Sequence, residues 1–329
     1  MNKIVEITKY LQDDLKKIDK IILDFSIGKA PLIKEISHHL IISGGKRIRP
    51  ILLILAAKLC DRKSDKFYNL AAAIELIHSA TLLHDDVVDD SKTRRGNKTA
   101  NAIWNNKVSI LVGDYLFSVA FQLMVKSDNI KILDLLAKTS SIMADGEVLQ
   151  LENSNNIAIS QEKYFDIIFR KTAILFASAT KTGALVSGAK TAEIKALQDF
   201  GKNLGMVFQI VDDILDYVAN TAEFGKEIGS DFFEGKITLP IILVYKLANE
   251  KDKKIIKNLF EKNLISSQKN QESLQHILDL INKYKVLEEC KKISQDYKKL
   301  AIKNLSIFKD SIYKEHLLEI LNYSLNRKK

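Results

Sequence analysis

The chain has 329 residues, 46% of them apolar and 28% charged, the balance of a soluble globular protein with room for a substantial core. Its formal charge of +9 is concentrated late: residues 251–329 hold 18 Lys/Arg against 10 Asp/Glu, a local excess of +8. These lysines are spaced through helical patterns without an RNP, zinc-finger or basic-zipper signature, so a solvated face is expected and nucleic acid is not.

The segment Met1 to Leu15 carries charges throughout and has no apolar signal core. Three prolines and thirteen glycines are few for this length and favour long helices over turn-rich strands. Helical periodicity predicts helices over Ile48–Cys60 and Phe67–Asp90, the latter with Leu70, Ile74, Ile77 and Leu82 on its apolar side. Lys107–Val125 is the most membrane-like stretch, but Asp114 and Gln122 mid-span make it read as a buried core helix. Lys131–Leu151 follows, then a polar loop at Glu152–Ser160, then Lys171–Ser187, Phe200–Tyr217 and further helical segments after Lys236. Strand–turn–helix alternation is missing, and Cys60 and Cys290 form neither a C-x-x-C pair nor a disulfide framework, which fits a reducing cytoplasm. The expectation is an all-α protein, one domain over residues 1–329.

One motif occurs twice, as Asp85-Asp86-Val87-Val88-Asp89 and Asp212-Asp213-Ile214-Leu215-Asp216. With 24 Asp in the chain, one D-D-x-x-D is expected by chance on the order of once in eight such sequences, so a single copy is weak. Two copies, each at the C-terminal end of an apolar helix, are far less accidental. The first and last Asp of each lie one helical turn apart on the same side, where they repel unless a cation joins them. Carboxylates without His or Cys suit magnesium, which shares its shell with water and substrate phosphates.

Basic residues accompany these clusters: Gly44-Gly45-Lys46-Arg47-Ile48-Arg49-Pro50 before a helix, Arg94-Arg95-Gly96 after the first cluster, then Lys171-Thr172, Lys226 and Lys236. Arg suits bidentate phosphate contacts and Lys acts as a compact point charge. No P-loop occurs.

These blocks, with Phe208 to Tyr217 (FQIVDDILDY) and Phe224 to Pro240 (FGKEIGSDFFEGKITLP), resemble the trans-polyprenyl diphosphate synthases in order and spacing. The wording His78-Ser79-Ala80-Thr81-Leu82-Leu83-His84 is similar to long-chain members, octaprenyl diphosphate synthases above all. The resemblance implies a helical bundle around a central cavity, a homodimer, and elongation of an allylic diphosphate such as farnesyl with isopentenyl diphosphate. It further implies that Asp85, Asp86 and Asp89 bind the allylic diphosphate through magnesium, with Arg94, Lys171, Thr172, Gln209, Lys226 and Lys236 contacting it. Asp212, Asp213 and Asp216 hold further magnesium, for two to three ions in all. Lys46, Arg49, His78 and Arg95 hold isopentenyl diphosphate. Phe224 stands where Leu is usual, without an expected catalytic consequence.

Small residues near the first cluster bear on product length. A bulky aromatic five residues before Asp85 would block a growing tail, whereas Ala80 and Ser79, with Ala73 deeper, leave space; Phe121 or Met124 is expected at the floor. Long product for quinone side chains, octaprenyl, is the expectation. A farnesyl or geranylgeranyl synthase and a non-catalytic subunit of a heteromeric synthase are the alternatives. A terpene cyclase is disfavoured by the doubled cluster. The basic C-terminal region leaves room for peripheral contact with the inner membrane surface.

Overall fold

The computed structural model describes residues 3–25, 30–42, 45–61, 65–94, 96–218, 228–265 and 270–327, without the side chains of 40–42, 264 and 265. Gly44, Arg95, Phe224 and Lys226 therefore lie outside the described residues.

Helices α1 (Lys3–Tyr10), α2 (Gln12–Phe25), α3 (Pro31–Ile42) and α4 (Ile48–Leu59) precede the long α5 (Phe67–Val88). A hairpin of β1 (Thr93–Arg94) and β2 (Asn97–Lys98) leads through α6 (Ala100–Trp104) to α7 (Asn106–Val125) and α8 (Ile130–Glu152). Next, α9 (Gln161–Ile168) runs through a π-helical turn, Phe169–Ala173, into α10 (Ile174–Val186), and α11 (Thr191–Asp216) follows. Short Ser230–Phe233 and the helices Leu239–Leu247, Glu250–Ile265, Gln271–Lys283, Val286–Asn304 and Ile312–Asn326 complete the chain.

Local chemistry sets the boundaries. Asn105, Asn129 and Ser160 each accept backbone N–H bonds with their side chains at the starts of α7, α8 and α9. Helix α5 has no Gly or Pro from Phe67 to Val88 and stops at Asp89, after which Asp90 turns the chain with φ 46°. The predicted helices hold within a residue or two at most ends, but α11 begins well before Phe200, at Thr191. Lys171 opens no helix: it sits inside the π turn of one continuous helical run. The hairpin pairs Thr93 with Lys98 and Arg94 with Asn97 and is the sheet found among the described residues, a small departure from an all-helical chain.

Two apolar cores share α11. Phe200, Leu204, Val207 and Val211 face the one built with α4, α5, α7 and α10. Met206, Ile210 and Ile214 face the other, built with the π turn and the C-terminal helices. The second aspartate cluster thus ends a helix gripped on both sides.

Helix α7 corrects the buried-helix expectation. Val112, Leu116, Val119, Ala120, Leu123 and Met124 are buried, while Leu111 and Val125 are 67% and 63% exposed. It is long and apolar enough to cross a membrane, yet it lies along α5, which covers only one of its faces. Gly113 makes the approach possible: a Cβ there would stand 2.2 Å from His84 Nε2. His84 is accordingly a packing residue, 3.2 Å from the Ile110 carbonyl.

Candidate active site

The first cluster occupies the last turn of α5. Asp86 is buried and receives Arg94 Nε at 2.9 Å and a terminal guanidinium nitrogen at 2.8 Å. Arg94 reaches Asp86 from the β1 strand of the hairpin that follows the helix. Asp89 receives Lys236 Nζ at 3.0 Å, and Lys236 also meets Glu234 at 2.7 Å. Burial pushes the Asp85 carboxyl up to about 7; Lys171 pulls it down, while Glu147 and Asp89 add to the rise.

The second cluster is held differently. Asp213 accepts from the Tyr164 hydroxyl at 2.6 Å and from Gln209 Nε2 at 2.7 Å. Burial raises its carboxyl to about 7 against these two bonds, with Asp212 and Asp216 adding like charge. Asp216 accepts from Ser230 Oγ at 2.7 Å and from the Asp231 amide at 3.0 Å. Asp212 receives Arg327 at 3.0 Å, whose guanidinium lies 3.9 Å over the Phe208 ring.

Short links make the two clusters one site. The Asp231 amide binds Asp216, the Asp231 carbonyl accepts from Lys236 N at 2.8 Å, and the Lys236 side chain reaches Asp89. The π turn supplies the other bridge. Its Thr172 hydroxyl donates to Gln209 Oε1 at 2.7 Å, and Lys171 Nζ donates to Glu147 at 2.6 Å and Gln150 at 2.8 Å. Single π turns are frequent at functional sites because they shift side chains out of the α register.

Beside the first cluster lies an open cleft lined by Gly45, Arg47, Glu75, His78, Ser79, Asp86, Arg94 and Lys98, among others. Arg47, in a left-handed conformation at φ 49°, is clamped by Glu75 at 2.6 Å and Asp19 at 3.3 Å. Lys46 instead stands 5.0 Å over the Tyr323 ring and Arg49 4.6 Å over Phe176. His78 and Arg94 therefore share one cleft, whereas Lys46 and Arg49 face aromatic rings. Ala80 and Met124 are fully buried, and Ser79 lines the cleft. Phe121 does not sit at an interior floor: it is 39% exposed on the outer face of α7, three residues before the inward-facing Met124.

The donor set fits a divalent cation. It is all carboxylate oxygen, and Asp85 and Asp213 are raised toward neutral pH by burial and by like charge that a bound cation relieves. Among the described residues no group of three or more His, Cys, Asp or Glu side chains converges on a common metal position. A hard ion such as magnesium is ordinarily held by one or two carboxylates together with water and substrate phosphate. Sequence reading missed Glu147, Gln150, Tyr164, Ser230 and Arg327. Their partners are remote in the chain, and only the Glu147/Gln150 spacing on one helix face carried a local signal.

A largely helical body with paired acidic clusters and neighbouring cations suits a protein that handles a diphosphate. The Polyprenyl synthetase family model matches residues 30–281, and the chain belongs to that family. It resembles the octaprenyl diphosphate synthase of Haemophilus influenzae, 37% identical over 324 residues, 98% of this chain and 97% of the relative. A decaprenyl diphosphate synthase structure from Rhodobacter capsulatus superposes with TM-score 0.92 at 40% identity, covering 98% of both chains. A polyprenyl synthase from Caulobacter crescentus, solved with calcium and isoprenyl diphosphate, superposes at 0.93 with 37% identity, covering 99% of this chain and 98% of that one. The protein is thus a prenyltransferase of isoprenoid biosynthesis, a trans-polyprenyl diphosphate synthase with the isoprenoid synthase fold.

Proposed function

We propose that the whole chain, as one domain, condenses isopentenyl diphosphate onto an allylic diphosphate such as farnesyl and stops at octaprenyl length. The observation that carries this reading is the joining of the two aspartate clusters through Lys236 and Asp231, with Arg94 paired to Asp86, Arg327 to Asp212 and Lys171 to nearby Glu147. Magnesium, two to three ions with substrate present, supplies neutralisation of the diphosphate as its bond to the allylic carbon breaks. Asp85, Asp86, Asp89, Asp212, Asp213 and Asp216 hold it.

In the working state Arg94, Lys171 and Lys236, with Lys226, exchange carboxylate partners for phosphate oxygens. Thr172 and Gln209 orient the same group, and these donors stabilise charge as it develops on the leaving oxygen. Lys46, Arg49, His78 and Arg95 hold isopentenyl diphosphate. Its double bond attacks the allylic carbon, and a proton passes from the new bond's neighbour to the departing diphosphate. Apolar walls keep water from the allylic cation.

Buried Ala80 beside Ser79 supports a tail path beneath the first cluster, with Met124 toward its end. The exposed apolar face of α7, with Leu111, Phe121 and Val125, supports a homodimer. The late lysine excess supports a cytoplasmic protein that works at the inner membrane surface, where a quinone side chain is used.

The test is product analysis with magnesium, labelled isopentenyl diphosphate and farnesyl diphosphate, the dephosphorylated products being sized by chromatography. A ladder ending at octaprenyl is expected. A stop at farnesyl or geranylgeranyl length would overturn the length, and no elongation by folded protein would overturn the activity.

A further inference from the structure

The four-carbon stem of a lysine is flexible, and holding it in one pose costs rotamer entropy. Lys171 is nonetheless fixed, by a short run on α8 outside both aspartate clusters. Gly146 brings that helix against the π turn so closely that a Cβ would stand 2.7 Å from the Lys171 amide nitrogen and from Arg170 Cβ. One residue on, Glu147 accepts from Lys171 Nζ at 2.6 Å, and a turn later Gln150 accepts at 2.8 Å. These two acceptors sit at i and i+3, on one face of the helix, and take two of the three ammonium donors. The adjacent Arg170 is braced separately, by Asp145 at 2.6 Å and Asp166 at 2.8 Å. Two consecutive cations are thus sorted to different acidic partners, and of the two it is Lys171 whose charge acts on Asp85.

We infer that Gly146, Glu147 and Gln150 form a cradle that aims the Lys171 ammonium at the reacting diphosphate, with Glu147 the principal positioning residue. This rests on the role proposed for Lys171 above. Glu147 touches no reacting atom in this account; it acts through Lys171, by charge and by direction.

The experiment compares Glu147→Gln, the swap Glu147→Gln with Gln150→Glu, Lys171→Met, and Glu147→Gln in the Lys171→Met background. Melting temperature is recorded alongside kcat and KM for each. Glu147→Gln should lower kcat about tenfold, with KM for isopentenyl diphosphate unchanged and melting little moved. The swap, which returns a charge to the cradle one turn away, should recover at least half of that loss. In the Lys171→Met background the Glu147 substitution should add nothing. Gly146→Ala, which forces α8 off the turn, should reproduce the kcat loss. A Glu147→Gln enzyme within about twofold of the wild type overturns the inference, as does a full loss persisting without Lys171. Wild-type kcat in Lys171→Met would overturn the role of Lys171 itself, a result distinguishable from failure of the cradle alone.

Discussion

The two aspartate clusters share the D-D-x-x-D spacing and differ in what holds them. Asp86 and Asp89 on α5 are held by cations brought from elsewhere, Arg94 on the hairpin and Lys236 beyond the second cluster. Among the described contacts, Asp213 and Asp216 on α11 accept from neutral donors, Tyr164, Gln209, Ser230 and the Asp231 amide, while Asp212 meets Arg327. A cation bonded to a carboxylate can trade it for phosphate, because the incoming group carries the same charge. Neutral donors stay where they are when a metal arrives. One spacing therefore yields two devices, an exchangeable set of charges on α5 and a fixed ligand frame on α11.

Removing the exchangeable side should do most harm. Asp85→Asn with Asp86→Asn should cut kcat by at least about 100-fold while the fold persists, as read by elongation rate and circular dichroism. A loss under about tenfold would break the division of labour.

The fixed frame should show itself in stability. Tyr164→Phe strips Asp213 of a buried bond and should lower unfolding stability by about 1–3 kcal/mol in metal-free urea titrations. Arg94→Gln should cost less there and more in kcat. Equal stability losses would erase the contrast.

A third prediction sharpens it by pH. Asp85 and Asp213 lie near 7, above the ordinary carboxylate value of about 3.9. Such groups contribute stability that is full below the unfolded value and is lost as pH rises through 7. The metal-free protein should therefore lose this contribution progressively between about pH 4 and 7, and the gain in melting temperature on adding magnesium should grow over the same range. A magnesium gain independent of pH would count against cation binding by these two carboxylates. The smallest effect in rate should come from Ala80→Phe, which should shorten the product while leaving the first condensation nearly intact. Unchanged product length would remove Ala80 from the account.

Most helices were legible because apolar spacing on a long Pro-poor chain leaves few other ways to bury Leu70, Ile74 and Ile77. The paired clusters were legible because their Asp residues are adjacent in the chain. Tyr164 and Arg327 were not, since each meets its carboxylate only after distant helices have packed onto α11. Nor was the π turn, because Lys171 and Thr172 read as ordinary helix and the extra residue is fixed by tertiary contacts. Two of those contacts come from Gly146 and Gly205, where a Cβ would press on the turn at 2.7 and 2.5 Å. The half-exposed α7 was misread because an apolar run gives no sign of which face a neighbour covers.

The most direct measurement is calorimetric titration of a non-reactive allylic diphosphate analogue into the protein, with and without magnesium. The account predicts that magnesium tightens binding by at least about 100-fold in the wild type. It also predicts that Asp85→Asn and Asp212→Asn each lose most of that gain. Equal affinity with and without magnesium would contradict the joint reading of the two clusters.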